Sequence, residues 1–71
     1  MPLSTARVGD HVRLRAVRSG HRLQAHLASL GLTPGTEFEV LGRSPGGAVV
    51  VSLRGSKIVL GCGMVAKIEV E

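Results

Sequence analysis

Histidine and cysteine side chains can bind a metal ion or act as nucleophiles. The chain holds three histidines, His11, His21 and His26, and one cysteine, Cys62. His21 and His26 are five positions apart, about 140° around an α-helix, so they do not converge on one ion. No CxxC or HxxxH spacing is present, and no motif supplies Cys62 with an oriented base. We therefore predict no metal site, no cofactor and no catalytic residues.

Glycine-rich and basic segments are candidate sites for phosphate or nucleic acid. Gly55-Ser56-Lys57 has part of a P-loop pattern but lacks the upstream glycine and the following helix. The net charge is +4, yet Phe38 is the single aromatic residue, whereas binders of single-stranded nucleic acid usually stack bases on several aromatic rings. A basic face toward an acidic protein, or toward anionic lipid beside a membrane partner, needs no aromatic residue. The charge pattern favours a protein partner over nucleic acid.

Length and composition indicate one small globular domain over residues 1–71. The chain is 44% hydrophobic and 20% charged, too apolar for a disordered segment of this charge. No apolar run approaches the roughly 18 residues that span a bilayer. The N-terminus lacks the hydrophobic region of a secretory signal, and a single cysteine forms no internal disulfide. We expect a protein of the reducing cytosol.

The first half of the chain predicts a strand, a helix and a second strand. Val12 to Val17 alternates, with Val12, Leu14 and Ala16 expected inward. Ser19-Gly20 breaks this strand, and Ser19 is a candidate helix cap. Leu23, Leu27 and Leu30 then form one stripe of a short helix. Gly31 suits the left-handed residue that ends a helix, with Leu32 folding back onto the last turn.

The second half is predicted to be β structure. Thr33-Pro34-Gly35 fits a type II turn, after which Phe38 and Val40 point inward and Glu37 and Glu39 outward. Ala48 to Leu53 and Lys57 to Leu60 form a hairpin, with Gly55-Ser56 as a type II′ turn. Gly61 to Val65 is a break or a single helical turn, and Lys67 to Val70 is the last strand. Five short strands in so small a chain favour a closed or nearly closed barrel, with the helix plugging one end.

One pattern spans nearly the whole sequence, and its most specific part is Leu30-Gly31-Leu32-Thr33-Pro34-Gly35. The remaining positions are Gly9-Asp10, Val12-Arg13-Leu14, Arg22-Leu23, Leu27, Phe38, Val40, Val51, Leu53, Gly55, Ile58, Leu60, Ala66, Ile68 and Val70. The pattern resembles the ferrous iron transport protein A (FeoA) family. The resemblance implies an SH3-like barrel of about five strands. It also implies a non-enzymatic cytosolic accessory of the FeoB transporter, a membrane protein with a cytosolic G domain.

Two departures from the family pattern bear on where a partner would bind. Gly47-Ala48 stands where relatives commonly have a proline, and Gly61-Cys62-Gly63-Met64-Val65 replaces basic or polar residues. The cluster of Cys62, Met64 and Val65 either folds inward as a second plug or forms part of an interface.

We predict Arg22, Leu27, Met64 and Val65 as partner-binding or contact-supporting residues, with Leu27 more a core residue than a contact. The chain would be peripheral to the inner face of the cytoplasmic membrane through its partner, and self-association stays open. The alternatives are a basic barrel that binds nucleic acid and a metal-responsive regulatory module.

Overall fold

A computed structural model describes residues 1–18 and 20–71 of the chain. After a short 3-10 helix at Leu3–Thr5 come five strands and two helices. They are β1 (His11–Val17), α1 (His21–Ser29), β2 (Glu37–Arg43), β3 (Val49–Leu53), β4 (Ser56–Leu60), α2 (Cys62–Val65) and β5 (Ile68–Val70). The mainly β architecture, with a short helix between the first two strands, is as the sequence predicts.

All five strands belong to one antiparallel sheet in the order β4-β3-β2-β1-β5. β1 is shared between two partners, because His11 to Arg13 pair with β2 and Leu14 to Val17 pair with β5. Within the described residues no ladder joins β4 to β5, so the barrel is nearly closed rather than closed.

One hydrophobic core fills the inner face of this sheet. Phe38 and Val40 point inward from β2, and α1 contributes Leu27, which is fully buried. Leu23, on the same helical stripe, is partly buried and packs against the core. The other buried hydrophobic residues are Leu3, Ala6, Val12, Leu14, Leu32, Val49, Val51, Leu53, Leu60, Val65, Ile68 and Val70. No polar or charged residue of the described chain is buried.

Helix α1 ends as predicted, with Gly31 in the left-handed conformation that follows the last turn. Gly31 has a φ of +93° and its N–H donates to the carbonyl of Ala28 at 3.0 Å. The Leu32 N–H donates to the carbonyl of Leu27 at 2.8 Å, which completes a Schellman motif and folds the buried Leu32 onto the helix. The next turn is also confirmed, since Thr36 N–H donates to the Thr33 carbonyl at 3.0 Å and Gly35 has a φ of +93°.

Two predicted details of β1 and α1 are wrong. Ala16 is exposed rather than inward, because the pairing of β1 with β5 shifts between Leu14 and Ala16 and reverses the alternation there. Leu30 lies on the predicted apolar stripe but is 36% exposed, since it is the C-cap residue of α1. The N-cap is Gly20, and the proposed cap Ser19 lies outside the described residues.

The hairpin between β3 and β4 turns one residue earlier than predicted. Leu53 pairs with Ser56, so the two turn residues are Arg54 and Gly55 and not Gly55 and Ser56. Their φ angles, +51° and +82°, are both positive, which makes this a type I′ turn instead of type II′. The short return strand itself, expected from Lys57, begins at Ser56.

Candidate docking groove

An apolar groove of about 320 Å³ lies between α1, the Thr33–Thr36 turn and the second half of β1. We refer to it as the docking groove. Its walls are Arg15, Ala16, Val17, Gln24, Ala28, Leu32, Thr33 and Pro34. The groove therefore includes part of the specific Leu-Gly-Leu-Thr-Pro-Gly segment.

The groove exists because β1 extends beyond the beginning of β2. At Leu14 the backbone still has partners on that side, as its N–H donates to Thr36 and its carbonyl accepts from Gly35, each at 2.8 Å. Beyond Leu14 no β2 residue follows, and α1 with its terminal turn lies there instead. The register shift at Ala16 turns that small side chain outward, so the floor of the groove is shallow and apolar.

The chemistry of the groove suits an apolar side chain or a short extended segment. Ala16, Ala28 and Pro34 offer small hydrophobic surfaces, and Arg15 is the one charged residue among those that line it. No carboxylate lines the groove, and Arg15 has no ion pair among the described residues. A ligand with negative charge beside an apolar group would therefore match it.

A second depression, of about 470 Å³, lies on the outer face of β1 and β2 and is lined by His11, Val12, Arg13, Glu37 and Glu71. Two of its charged side chains form an ion pair with each other. Arg13 Nη2 lies 3.4 Å from Glu37 Oε1, and His11 Nε2 lies 3.9 Å from Glu39 Oε1. In the described part of the chain no three His, Cys, Asp or Glu residues are arranged to hold a metal ion. This depression therefore presents charges of both signs, whereas the docking groove presents only the positive charge of Arg15.

The structure separates the four predicted contact residues into two kinds. Arg22 is exposed and Met64 is half-buried, so both have side-chain surface open to solvent. Leu27 has no exposed surface and Val65 only 2%, so their side chains support the fold from inside. The predicted apolar cluster in α2 is likewise divided, because Val65 is inward whereas Cys62 is exposed.

Helix α1 carries two of the predicted contact residues, Arg22 and Leu27, but it lines the groove with a different face. Gln24 and Ala28, one turn apart, line the groove, whereas Arg22 lies about 200° from Gln24 around the helix. Arg15 and Ala16 were also missed as lining residues. The neighbouring sequence gives no indication that they line a groove, since the exposure of Ala16 depends on its register with β5.

No helix of residues 1–18 or 20–71 combines the length and apolar character required to cross a membrane.

Comparison with known proteins gives one consistent result. The FeoA domain model matches residues 1–71. A relative from Methanocaldococcus jannaschii, provisionally named Fe(2+) transport protein A, is 34% identical over 70 residues, which are 99% of this chain and 84% of that protein.

Solved structures agree with the sequence matches. A crystal structure of an iron uptake regulatory protein (FeoA) superposes with a TM-score of 0.90 at 32% identity, covering 100% of this chain and 95% of the other. FeoA from Chlorobium tepidum gives 0.88 at 26% identity, covering 100% and 69%. ScaR with bound Zn²⁺ gives 0.89 at 24% identity over 36% of its length, a likeness of the SH3-like fold alone. Since the family model matches the whole sequence, this chain belongs to the FeoA domain family.

Proposed function

We propose that this chain is a non-enzymatic accessory protein of ferrous iron uptake that binds the cytosolic part of a FeoB-type transporter. The observation that carries the proposal is the match of the FeoA domain model to every residue from 1 to 71. The relative named for Fe(2+) transport supports it, because the alignment covers 99% of this chain and 84% of that protein.

The docking groove is the surface that best suits such a contact. It is apolar, has at its wall the guanidinium of Arg15, which forms no ion pair with a described residue, and lies beside an exposed helix. Exposed Arg22 and half-buried Met64 would contribute contacts outside the groove, while Leu27 and Val65 hold the helix and α2 in place. Bound in this way, the chain would lie at the inner face of the cytoplasmic membrane through its partner and tune the transporter's assembly or nucleotide cycle.

Two alanines of α1 provide a matched test of the groove. Ala28 lines it, whereas Ala25 is also exposed on the same helix but does not line it. Ala28→Gln should fill part of the groove and reduce co-isolation of the chain with the transporter from detergent-solubilised membranes. Ala25→Gln, with the same helix propensity, should leave it unchanged. Equal effects of the two substitutions would remove the groove from the proposal.

The charge of Arg22 is tested by reversal. Arg22→Glu should weaken co-isolation, and Arg7→Glu, at another exposed arginine, serves as the control for the change in net charge. If neither variant nor the unaltered chain co-isolates with the transporter, and deletion leaves ferrous uptake unchanged, the proposed function is wrong. Salt-dependent retention on DNA or RNA in that case would favour the nucleic-acid alternative.

A further inference from the structure

The two outer strands of the sheet differ in how their free edges are covered. The outer side of β5 is bound by the N-terminal segment, through a bridge between Pro2 and Glu69 and a backbone bond of 2.7 Å from Val70 N–H to the Met1 carbonyl. The Met1 ammonium also donates to the Val70 carbonyl at 2.8 Å. The outer side of β4 has no such cover among the described residues. β4 is therefore the open edge of the sheet.

The register of the β3–β4 hairpin identifies the backbone groups that face outward. Leu53 and Ser56 close the two-residue turn as a hydrogen-bonded pair, and such pairs alternate along an antiparallel ladder. Ser56, Ile58 and Leu60 therefore bond to β3. The N–H and C=O groups of Lys57 and Val59 point away from the sheet. An added strand would accept hydrogen bonds from these N–H groups and donate hydrogen bonds to these C=O groups.

The side chains on this edge combine an apolar surface with positive charge. Val59 is 64% exposed and pairs with Val50, a half-buried residue outside the core cluster. Lys57 and Arg54 are exposed and have no ion pair with any described residue, whereas Glu37 and Glu69 each lie within 3.5 Å of an arginine elsewhere. This edge thus places the positive charges of Lys57 and Arg54 beside the apolar side chains of Val50 and Val59.

A second copy of this chain is a poor occupant of the edge. β4 contains no acidic residue, so self-pairing would add the cations of both copies without any compensating carboxylate. A lysine on an edge strand commonly opposes such self-association. An extended segment with an acidic residue opposite Lys57 and an apolar residue opposite Val59 satisfies charge, surface and backbone together.

We propose that the outer edge of β4 is a docking surface for an extended acidic segment of a partner protein, which adds to the sheet as a further strand. Binding of this type takes its affinity from main-chain hydrogen bonds and its specificity from alternate side chains. The surface is separate from the docking groove, and the proposal does not depend on the identity of the transporter as partner.

The test uses the full chain, isotopically labelled, with an extended peptide of roughly eight residues. Glutamate and valine occupy every second position in turn, so that both lie on one face, and serine fills the positions between them (Glu-Ser-Val-Ser-Glu-Ser-Val-Ser). Bound peptide should protect the Lys57 and Val59 amides from exchange and leave those of Ile58 unchanged, since Ile58 already bonds to β3. A peptide with lysine in place of glutamate should not bind. Protection of amides elsewhere, equal binding of the lysine peptide, or no binding of the acidic peptide at millimolar concentration would overturn the proposal.

Substitutions then separate the contribution of charge to peptide binding from that of backbone hydrogen bonds. Lys57→Glu should weaken binding of the acidic peptide by about two- to fivefold, as expected for an exposed charge pair, while Lys67→Glu, away from β4, should leave it unchanged. Val59→Pro removes an outward N–H without loss of a bond to β3 and should abolish binding while the fold persists. If Val59→Pro unfolds, the comparison of Lys57→Glu with Lys67→Glu decides whether the proposal stands. Dimerisation through the same amides without peptide would overturn the proposal in favour of a second copy.

Discussion

Leu27 is the single fully buried side chain of α1. Its replacement by alanine tests how much this one buried side chain contributes to the free energy of unfolding. Loss of a buried leucine removes its transfer free energy and leaves a cavity, at a total cost of about 2–5 kcal/mol. A domain of 71 residues has a free energy of unfolding of about 4–11 kcal/mol. Leu27→Ala should therefore remove a large fraction of the stability, and a loss of about 3 kcal/mol lowers the Tm by about 12–24 °C.

The measurement is urea unfolding followed by far-UV circular dichroism, because the chain has no Trp or Tyr for fluorescence. The midpoint should fall while the slope m stays constant, since the surface exposed on unfolding changes little. Leu30→Ala is the matched control. Leu30 is 36% exposed at the C-cap of the same helix, so its loss should cost under about 1 kcal/mol.

Similar midpoints for the two variants, or a loss below about 1 kcal/mol for Leu27→Ala, would refute the packing argument. The same variant bears on partner binding. Because Leu27 is buried, the Leu27→Ala protein that remains folded at low temperature should still bind its partner. A loss of binding by a demonstrably folded variant would show that Leu27 contributes to the contact itself.

Two further predictions concern backbone geometry and the N-terminal segment. Gly31→Ala and Gly35→Ala share a φ of +93° and hence a backbone cost of about 1–2 kcal/mol. A Cβ at Gly31 would lie 3.2 Å from Leu53 Cδ2, whereas one at Gly35 would meet nothing within 4 Å. Gly31→Ala should therefore lose about 1 kcal/mol more in urea unfolding, and equal losses would contradict this packing. The Arg43 guanidinium donates to the carbonyls of Ala6, at 2.9 Å, and Ser4. Arg43→Ala should lower the Tm by about 4–8 °C, for about 1 kcal/mol, and hasten amide exchange at Ala6; an unchanged exchange rate would show that these bonds do not hold the segment.

The features that were predicted correctly are those specified by adjacent residues. Gly31, Pro34 and Gly35 have restricted or unusual backbone preferences, so the helix end and the following turn could be located from sequence. The alternation of Phe38 and Val40 likewise placed the inner face of β2. Such signals need no knowledge of the distant parts of the chain.

The features that were missed depend on long-range pairing or on small energy differences. Ala16 is exposed because β5 imposes a shifted register, which residues near Ala16 do not encode. The hairpin places Arg54 at a positive φ, a conformation that a non-glycine residue seldom adopts, so Gly55-Ser56 was the more natural prediction. The docking groove also depends on long-range strand pairing, since it forms where β1 extends past β2.

Uptake of radiolabelled Fe²⁺ by cells that carry the FeoB-type transporter tests the central proposal most directly. Three strains are compared: one with the transporter alone, one with this chain added, and one with the Ala28→Gln variant expressed at the same level. The proposal predicts that the chain changes the uptake rate and that Ala28→Gln brings the rate back toward that of the transporter alone. Identical uptake in all three strains would contradict the assignment of this chain to ferrous iron transport.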